Sequence, residues 1–205
     1  MSLLLTDNKN LQTCGIDEAG KGCLIGPVSA AAVILPSDFL ENCKKEKIII
    51  RDSKKMTPLQ RDRSRKFIEK HAIDYQVFFK DEKSIDTLGI NTCVMSSMNE
   101  AVKRLRIKPI KLLVDGNYFH NQTDIPYECI IRGDDIYPSI SCASILAKEY
   151  RDEFIRSLCE EIPELNENYD LLQNKGYGTK NHLNGIKMHG ITNYHRRTFC
   201  TKYID

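Results

Sequence analysis

Gly15-Ile-Asp-Glu-Ala-Gly-Lys-Gly-Cys-Leu-Ile-Gly-Pro27 is the stretch on which the reading of this chain turns. A short apolar strand, placed at residues 11–17, delivers two adjacent acids, Asp17 and Glu18, at its C-terminal end and runs on into a glycine-rich turn. Carboxylates held side by side repel one another unless a cation or an acid–base task requires them there. Gly20, Gly22 and Gly26 clear the turn of side chains, so a bulky ligand can approach the backbone. Together these features point to a metal-dependent site open to a large phosphate-bearing substrate. The glycine spacing fits neither a Walker loop nor a dinucleotide fingerprint.

Working outward, Val28 to Leu35 reads as a second strand stopped by Pro36. Residues 57–70 form an amphipathic helix with Thr57 as N-cap and Pro58 at its first position, and Leu59, Phe67 and Ile68 among its apolar positions. Tyr75 to Phe79 is a third strand. A helix over 91–105 carries Val94, Met95, Met98, Ala101, Val102 and Leu105 at helical spacing, a stripe that belongs to the core. Two further strands follow, 110–115 ending in Asp115-Gly116 and 128–131 leading into Arg132-Gly-Asp-Asp135. A long helix over 139–158 is small on one side. The acidic stretch with Pro163 and residues 166–168 reads as a connector, and a last helix over 180–188 is ended by Gly190. This is an α/β plan with mixed strand directions.

The 205 residues, 41% hydrophobic and 28% charged, are those of an ordinary globular protein large enough for one core. A net charge of +2 excludes a general polycation, so the distribution of charge matters more. Residues 41–66 hold ten Lys or Arg against four acids, and residues 171–205 hold six against Asp205 alone. Between these basic blocks, residues 149–170 hold eight acids against Arg151 and Arg156. Basic blocks flanking carboxylates fit a polyanion that meets a metal centre. The eight cysteines contain no Cys-x-x-Cys pair, and no signal peptide or membrane span is visible. Buried free thiols in a reducing cytoplasm are the expectation.

Asp17, Glu18, Asp115 and Asp134 each fall at a strand end or beside a glycine. Carboxylates converging on one side of a sheet suit hard cations with oxygen ligands, Mg²⁺ or Mn²⁺. Two such ions, about 3.5–4 Å apart, can activate a water and stabilise the leaving oxygen of an in-line phosphodiester displacement. His182 and His195 read as satisfied structural histidines, and His71, His120 and His189 carry no argument beyond the surface.

At this point the chain resembles bacterial ribonuclease HII, of the ribonuclease H superfamily. The resemblance is carried by Gly15–Val28, Asp52-Ser-Lys-Lys-Met-Thr-Pro58, Leu113-Val-Asp-Gly116, Gly133-Asp134 with Ser139–Lys148 and Arg151-Asp152, Lys175-Gly-Tyr-Gly-Thr179 and His195-Arg-Arg-Thr-Phe199. These span about residues 12–199. The family fold is a mixed central sheet flanked by helices. The resemblance implies a ribonuclease H-like catalytic core over residues 1–160. It also implies a small helical C-terminal extension, 161–205, that contributes to substrate binding.

It further implies that Asp17, Glu18, Asp115 and Asp134 are the metal-binding catalytic carboxylates, with Asp134 preferred to Asp135 because it directly follows Gly133. Gly20-Lys21-Gly22 matches a Gly-Arg-Gly stretch whose backbone reads the 2′-hydroxyl at an RNA–DNA junction. Here Lys21 keeps the charge without the guanidinium fork. Tyr177 matches a tyrosine that packs on the sugar beyond the junction, and Ser53, Lys54 and Lys55 stand where the family contacts phosphates. Lys148, Arg151 and Asp152 are expected to form structural pairs or touch the duplex backbone. The implied substrates are RNA–DNA hybrid and ribonucleotide-containing duplex DNA, and a monomer is the default. No sliding-clamp peptide is recognised at the C-terminus. The sister type, ribonuclease HIII, and a hybrid-binding protein without catalysis are the two alternatives. The Gly-Lys-Gly stretch and the short N-terminus argue against the first, and the presence of all four carboxylates argues against the second.

Overall fold

The computed structural model describes residues 12–204. At its centre lies a five-stranded sheet of order β3-β2-β1-β4-β5. The strands are β1 (Thr13–Ala19), β2 (Val28–Ile34), β3 (Asp74–Lys80), β4 (Lys111–Asp115) and β5 (Tyr127–Ile130). Strands β1, β2 and β3 pair antiparallel, whereas β1, β4 and β5 pair parallel, so the sheet is mixed as expected.

The first strand corrects the sequence reading. It continues to Ala19, past the two acids placed at its end. The reason lies in its two neighbours. The parallel ladder with β4 stops at Ile16↔Val114, while the antiparallel ladder with β2 runs on through Glu18↔Ala30 and Ala19↔Ser29. The acids therefore sit where one ladder has ended and the other still holds the backbone straight. Residue 11, also assigned to this strand, lies outside the described residues.

Five helices cover the sheet: α1 (Phe39–Lys45), α2 (Pro58–His71), α3 (Glu82–Leu88), α4 (Ile90–Lys103) and α5 (Pro138–Glu161). Strand alternation assigns the faces. Cys14, Ile16, Ala30, Ala32, Ile34, Leu112 and Val114 meet Val94, Met98, Ala101 and Val102 of α4. Ala31 and Val33 meet Phe67 and Ile68 of α2 and the small stripe of α5. Every residue of β2 is buried, which explains why its composition shows no alternation. Thr57 and Gln60 form a reciprocal capping box at the start of α2. Leu59, read as part of that helix's apolar face, instead stands 71% exposed.

The stretch read as a connector is helical. It forms α6 (Glu164–Tyr169), followed by α7 (Leu171–Asn174), α8 (Lys180–His189) and α9 (Arg197–Cys200). Leu165 and Tyr169, one turn apart, are buried against α8. There Gly185 comes so close to α6 that a Cβ would lie 2.1 Å from the Asn168 carbonyl oxygen. This third layer rests on Ile155, Leu158 and Cys159 of α5 and on Leu24 and Ile25. Asp86 of α3 clasps it to the core by accepting the Arg197 and Thr198 amides and the Thr198 hydroxyl at 2.9, 2.9 and 2.6 Å. Helices α1, α3, α7 and α9 span at most two turns, too short for periodicity to announce them. None of the eight cysteines forms a disulfide and all but Cys129 are buried, as expected.

Helix α5 lies against β1 at Gly15, where a Cβ would sit 2.2 Å from the backbone carbon of Ser139. Gly15→Ala is expected to lower stability by about 3 kcal/mol or more, since neither backbone can give way. Urea denaturation of the two proteins checks this.

Candidate active site

The last parallel pair, Ile16↔Val114, puts the next residues, Asp17 and Asp115, side by side on adjacent strands. Both carry the parity of Gly15 and so face α5. Asp17 is 5% exposed, and its Oδ1 accepts the Glu18 amide at 2.7 Å. Asp115 Oδ1 accepts the Gly133 amide at 2.7 Å, which draws the turn after β5 back onto β4. That turn is a single 3₁₀ turn, Gly133–Asp135, and it presents Asp134 beside Asp115. The Ser141 hydroxyl of α5 donates to the Asp134 carbonyl and anchors the turn. Asp135 faces the other way, held by Lys55 Nζ at 2.8 Å. The two neighbouring acids are thereby distinguished: one is neutralised by lysine and the other joins the cluster.

Burial dominates the electrostatics. It pushes Asp17 well above the usual carboxylate range, and the charges of Glu18 and Asp115 add to it. Glu18 is raised by burial, opposed by Lys21 and reinforced by Asp115. Asp134 rises to about 6, first through burial and then through Asp115 and Asp52, with Lys54 opposing. Elsewhere acids find cations: Glu149 pairs with Arg61 at 2.6 Å and Asp152 with Lys148 at 2.6 Å. Among the described residues, Asp17, Glu18, Asp115 and Asp134 make no ion pair.

This donor set is all oxygen, mutually repulsive and without an ion-pair partner, which fits hard divalent cations. Among the described residues no three His, Cys, Asp or Glu side chains are gathered closely enough to hold a metal ion as they stand. The four carboxylates are an open set near the C-terminal ends of the inner strands β1 and β4.

Ser144 of α5 was not singled out by the sequence. Its hydroxyl interacts with Asp17 and lies 3.0 Å from the Ser53 Oγ. Ser53 is itself buried, so its hydroxyl faces the cluster's supports, while Lys54 next to it is exposed. Lys55 is occupied by Asp135 and Asp52.

The glycine turn and Tyr177 are brought together by backbone bonds. Cys23 and Tyr177 form an antiparallel bridge, and the Leu24 amide donates to the Gly176 carbonyl at 2.8 Å. Two fully buried arginines hold this junction from within. Arg151 donates to the carbonyls of Pro27, Lys175 and Ile25 at 3.0, 2.6 and 2.9 Å. Arg196 donates to those of Gly26 and Lys21 at 2.9 and 3.1 Å. Neither meets a carboxylate among the described residues, and burial lowers Arg196 to about 10. With these carbonyls turned inward, Lys21 and Gly22 stand exposed on the turn's outer side.

Gly20, at φ +86°, is required because a Cβ would lie 2.1 Å from Arg151 Nε. Nothing lies within 4 Å of a Cβ on Gly22, so its missing side chain serves open space. Tyr177 stands 40% exposed at the edge of a cleft of about 790 Å³ bounded by α2, α5 and α7. Arg151 could have been found from its position: Ala147, Arg151 and Ile155 lie four apart, a cation on a buried stripe. Arg196 sits in a motif already quoted, where nothing local separates a buried arginine from an exposed one.

A family model described as Ribonuclease HII matches residues 14–202. The chain belongs to the ribonuclease HII family. A ribonuclease HII from Bacteroides thetaiotaomicron is 47% identical over 192 residues, covering 94% of this chain and 91% of that one. One from Christiangramia forsetii is 44% identical over 94% and 92%. The crystal structure of the ribonuclease H2 from Pyrococcus horikoshii OT3 superposes with a TM-score of 0.75 at 26% identity, over 94% of this chain and 96% of that one. As a member of the ribonuclease HII family the protein is a metal-dependent endonuclease acting on RNA strands. No helix among the described residues is long and apolar enough to cross a membrane.

Because burial and repulsion raise Asp17, Glu18 and Asp134, their charges oppose folding as pH climbs through about 6, and a bound cation removes that cost. The rise in Tm on adding Mn²⁺ is therefore expected to be larger at pH 8 than at pH 5. Asp134→Asn is expected to raise the metal-free Tm at pH 8, by about 2–4 °C per kcal/mol of relief, while shrinking the metal-induced rise. Differential scanning fluorimetry at the two pH values measures both.

Proposed function

We propose that this ribonuclease HII cleaves the RNA strand of RNA–DNA hybrids and, in particular, cuts 5′ to single ribonucleotides embedded in duplex DNA. The reading is carried by the junction described above. The turn at Gly20-Lys21-Gly22, with the Lys21 carbonyl drawn inward and open space at Gly22, adjoins carboxylates without ion pairs on one side and Tyr177 on the other. Backbone amides and carbonyls can read a 2′-hydroxyl, the mark that separates ribose from deoxyribose. Tyr177 supplies a flat surface for the neighbouring sugar, and Lys54 and Lys21 supply charge for phosphates. In this reading Ser53 positions Ser144 and the loop carrying Lys54 rather than reaching a phosphate itself. The C-terminal extension, 161–205, contributes to substrate binding through Tyr177.

Asp17, Glu18, Asp115 and Asp134 are the residues that would hold two divalent ions, Mg²⁺ or Mn²⁺. When bound, such ions supply an activated water and stabilise the leaving oxygen. The chain's own part is to keep the carboxylates out of ion pairs with lysine or arginine and to hold Asp17 and Asp115 side by side at the end of the parallel ladder. The products carry 3′-hydroxyl and 5′-phosphate ends, and no covalent enzyme intermediate is required. This chemistry suits removal of ribonucleotides from DNA during replication and excision repair in the cytoplasm, by a monomer.

The test is a labelled DNA duplex containing one ribonucleotide, incubated with Mg²⁺, Mn²⁺ or chelator beside an all-RNA/DNA hybrid. A metal-dependent cut 5′ to the lone ribonucleotide is expected, whereas cleavage of the long hybrid alone would remove the junction-specific reading. Asp17→Asn is expected to lose on the order of 10³-fold or more in rate. Near wild-type cleavage by that variant would refute the carboxylate assignment. Gly22→Ala is expected to change stability by less than about 0.5 kcal/mol, yet lower single-ribonucleotide cleavage at least about tenfold. Urea midpoints measured beside initial rates separate the two effects.

A further inference from the structure

Two fully buried histidines, His182 in α8 and His195 before α9, face each other with Nε2 atoms 3.1 Å apart. Two ring nitrogens at that distance share one proton, and the outer contacts decide which ring owns it. The Thr192 backbone amide can only donate, and it points at His195 Nδ1 at 3.0 Å. His195 Nδ1 is therefore the acceptor, and its proton resides on Nε2. That proton is donated to His182 Nε2, which forces the His182 proton onto Nδ1. His182 Nδ1 lies 3.0 Å from the Tyr177 carbonyl oxygen, to which it donates. Every bond in the series thus runs one way, from Thr192 through two neutral imidazoles to the backbone of Tyr177.

Neutrality is enforced by the surroundings. The side chain facing both rings is Tyr169, edge-on at 5.8 and 4.8 Å between centroids, with its hydroxyl donated to the Gly190 carbonyl at 3.0 Å. His189 meets Tyr169 at 6.4 Å. No carboxylate acts on either imidazole, and burial lowers both, with His195 falling to about 3. A second proton on the pair would set N–H against N–H and break the series.

We infer that His182 and His195 are positioning residues for the cleavage reaction, fixing where Tyr177 stands beside the glycine turn. The Tyr177 carbonyl also accepts the Thr179 amide at 2.8 Å, so the relay and the start of α8 share one anchor. The inference rests on the proposed role of Tyr177 at the sugar, and it adds the means by which a half-exposed side chain on a glycine-flanked loop is held still. A misplacement of about 1 Å at such a contact can cost about 100-fold.

The experiment is a double-mutant cycle on the single-ribonucleotide duplex, with thermal melts showing that each variant is folded. His182→Leu is expected to lower kcat/KM between about tenfold and 100-fold, and His182→Asn, whose amide can reach the Tyr177 carbonyl, to recover it within about threefold. In a Tyr177→Ala background His182→Leu is expected to cost nothing further. A gentler pair guards against misfolding. His195→Gln can still donate to His182 Nε2 and should stay near wild type, while His195→Asn keeps only the Thr192 contact and should fall with His182→Leu. Additive losses for His182→Leu and Tyr177→Ala, or equal behaviour of His195→Gln and His195→Asn, would overturn the positioning role alone. A Tyr177→Ala protein with wild-type kinetics would overturn the role proposed for the tyrosine and this inference with it.

Discussion

The close approach of α5 to β1 at Gly15 is the constraint on which the rest of the site depends. A Cβ there would lie 2.2 to 2.5 Å from backbone atoms of Ser139 and Ile140, so helix and strand touch main chain to main chain. At that distance the first turns of α5 can carry only small groups toward the sheet. Ser144 therefore reaches Asp17, Ser141 reaches the turn bearing Asp134, and two turns further on Arg151 enters beneath the glycine turn. One helix, set at one height, supplies the supports of the carboxylates and of the glycine turn together.

The molecule also separates its charges in an unusual way. Four acids gather without an ion pair among the described residues, while Arg151 and Arg196 are buried with carbonyls as their partners. Each arrangement is unfavourable in isolation, since a buried charge costs several kcal/mol unless compensated. The carboxylates lack an ion pair within the chain, which suits cations from solution. The arginines donate to carbonyl dipoles, which fixes the orientation of the turn and leaves positive charge behind its outer surface. Arg196 Nη2 has no partner even so, a residual cost at the same place.

The C-terminal helices have a mechanical task in this scheme. They bury Leu165, Tyr169, Leu171 and Ile186 against α5 and the glycine turn. Through Asp86 they are tied to α3 on the opposite side of the sheet. Tyr177 is carried between these anchors, at the end of a histidine relay rather than within a rigid strand.

Much was legible in the sequence where a single residue type has a single use. An acidic pair running into glycines, Thr57-Pro58 opening a helix, the Val94–Val102 stripe and the Asp115-Gly116 strand end are local statements, and the elements formed about where local chemistry put them. The membership of the family was equally readable, because its motifs keep order along the chain. What only the tertiary structure decided was pairwise. The end of β1 depended on two ladders of different length. The 164–169 helix depended on Gly185 opening a berth for it. The division of labour between Asp134 and Asp135 depended on Lys55, eighty positions away. The spacing of Arg151 and the structural reading of the two histidines hinted at burial, but the carbonyls that Arg151 and Arg196 meet and the facing of His182 by His195 could not be known until the fold had brought them within reach.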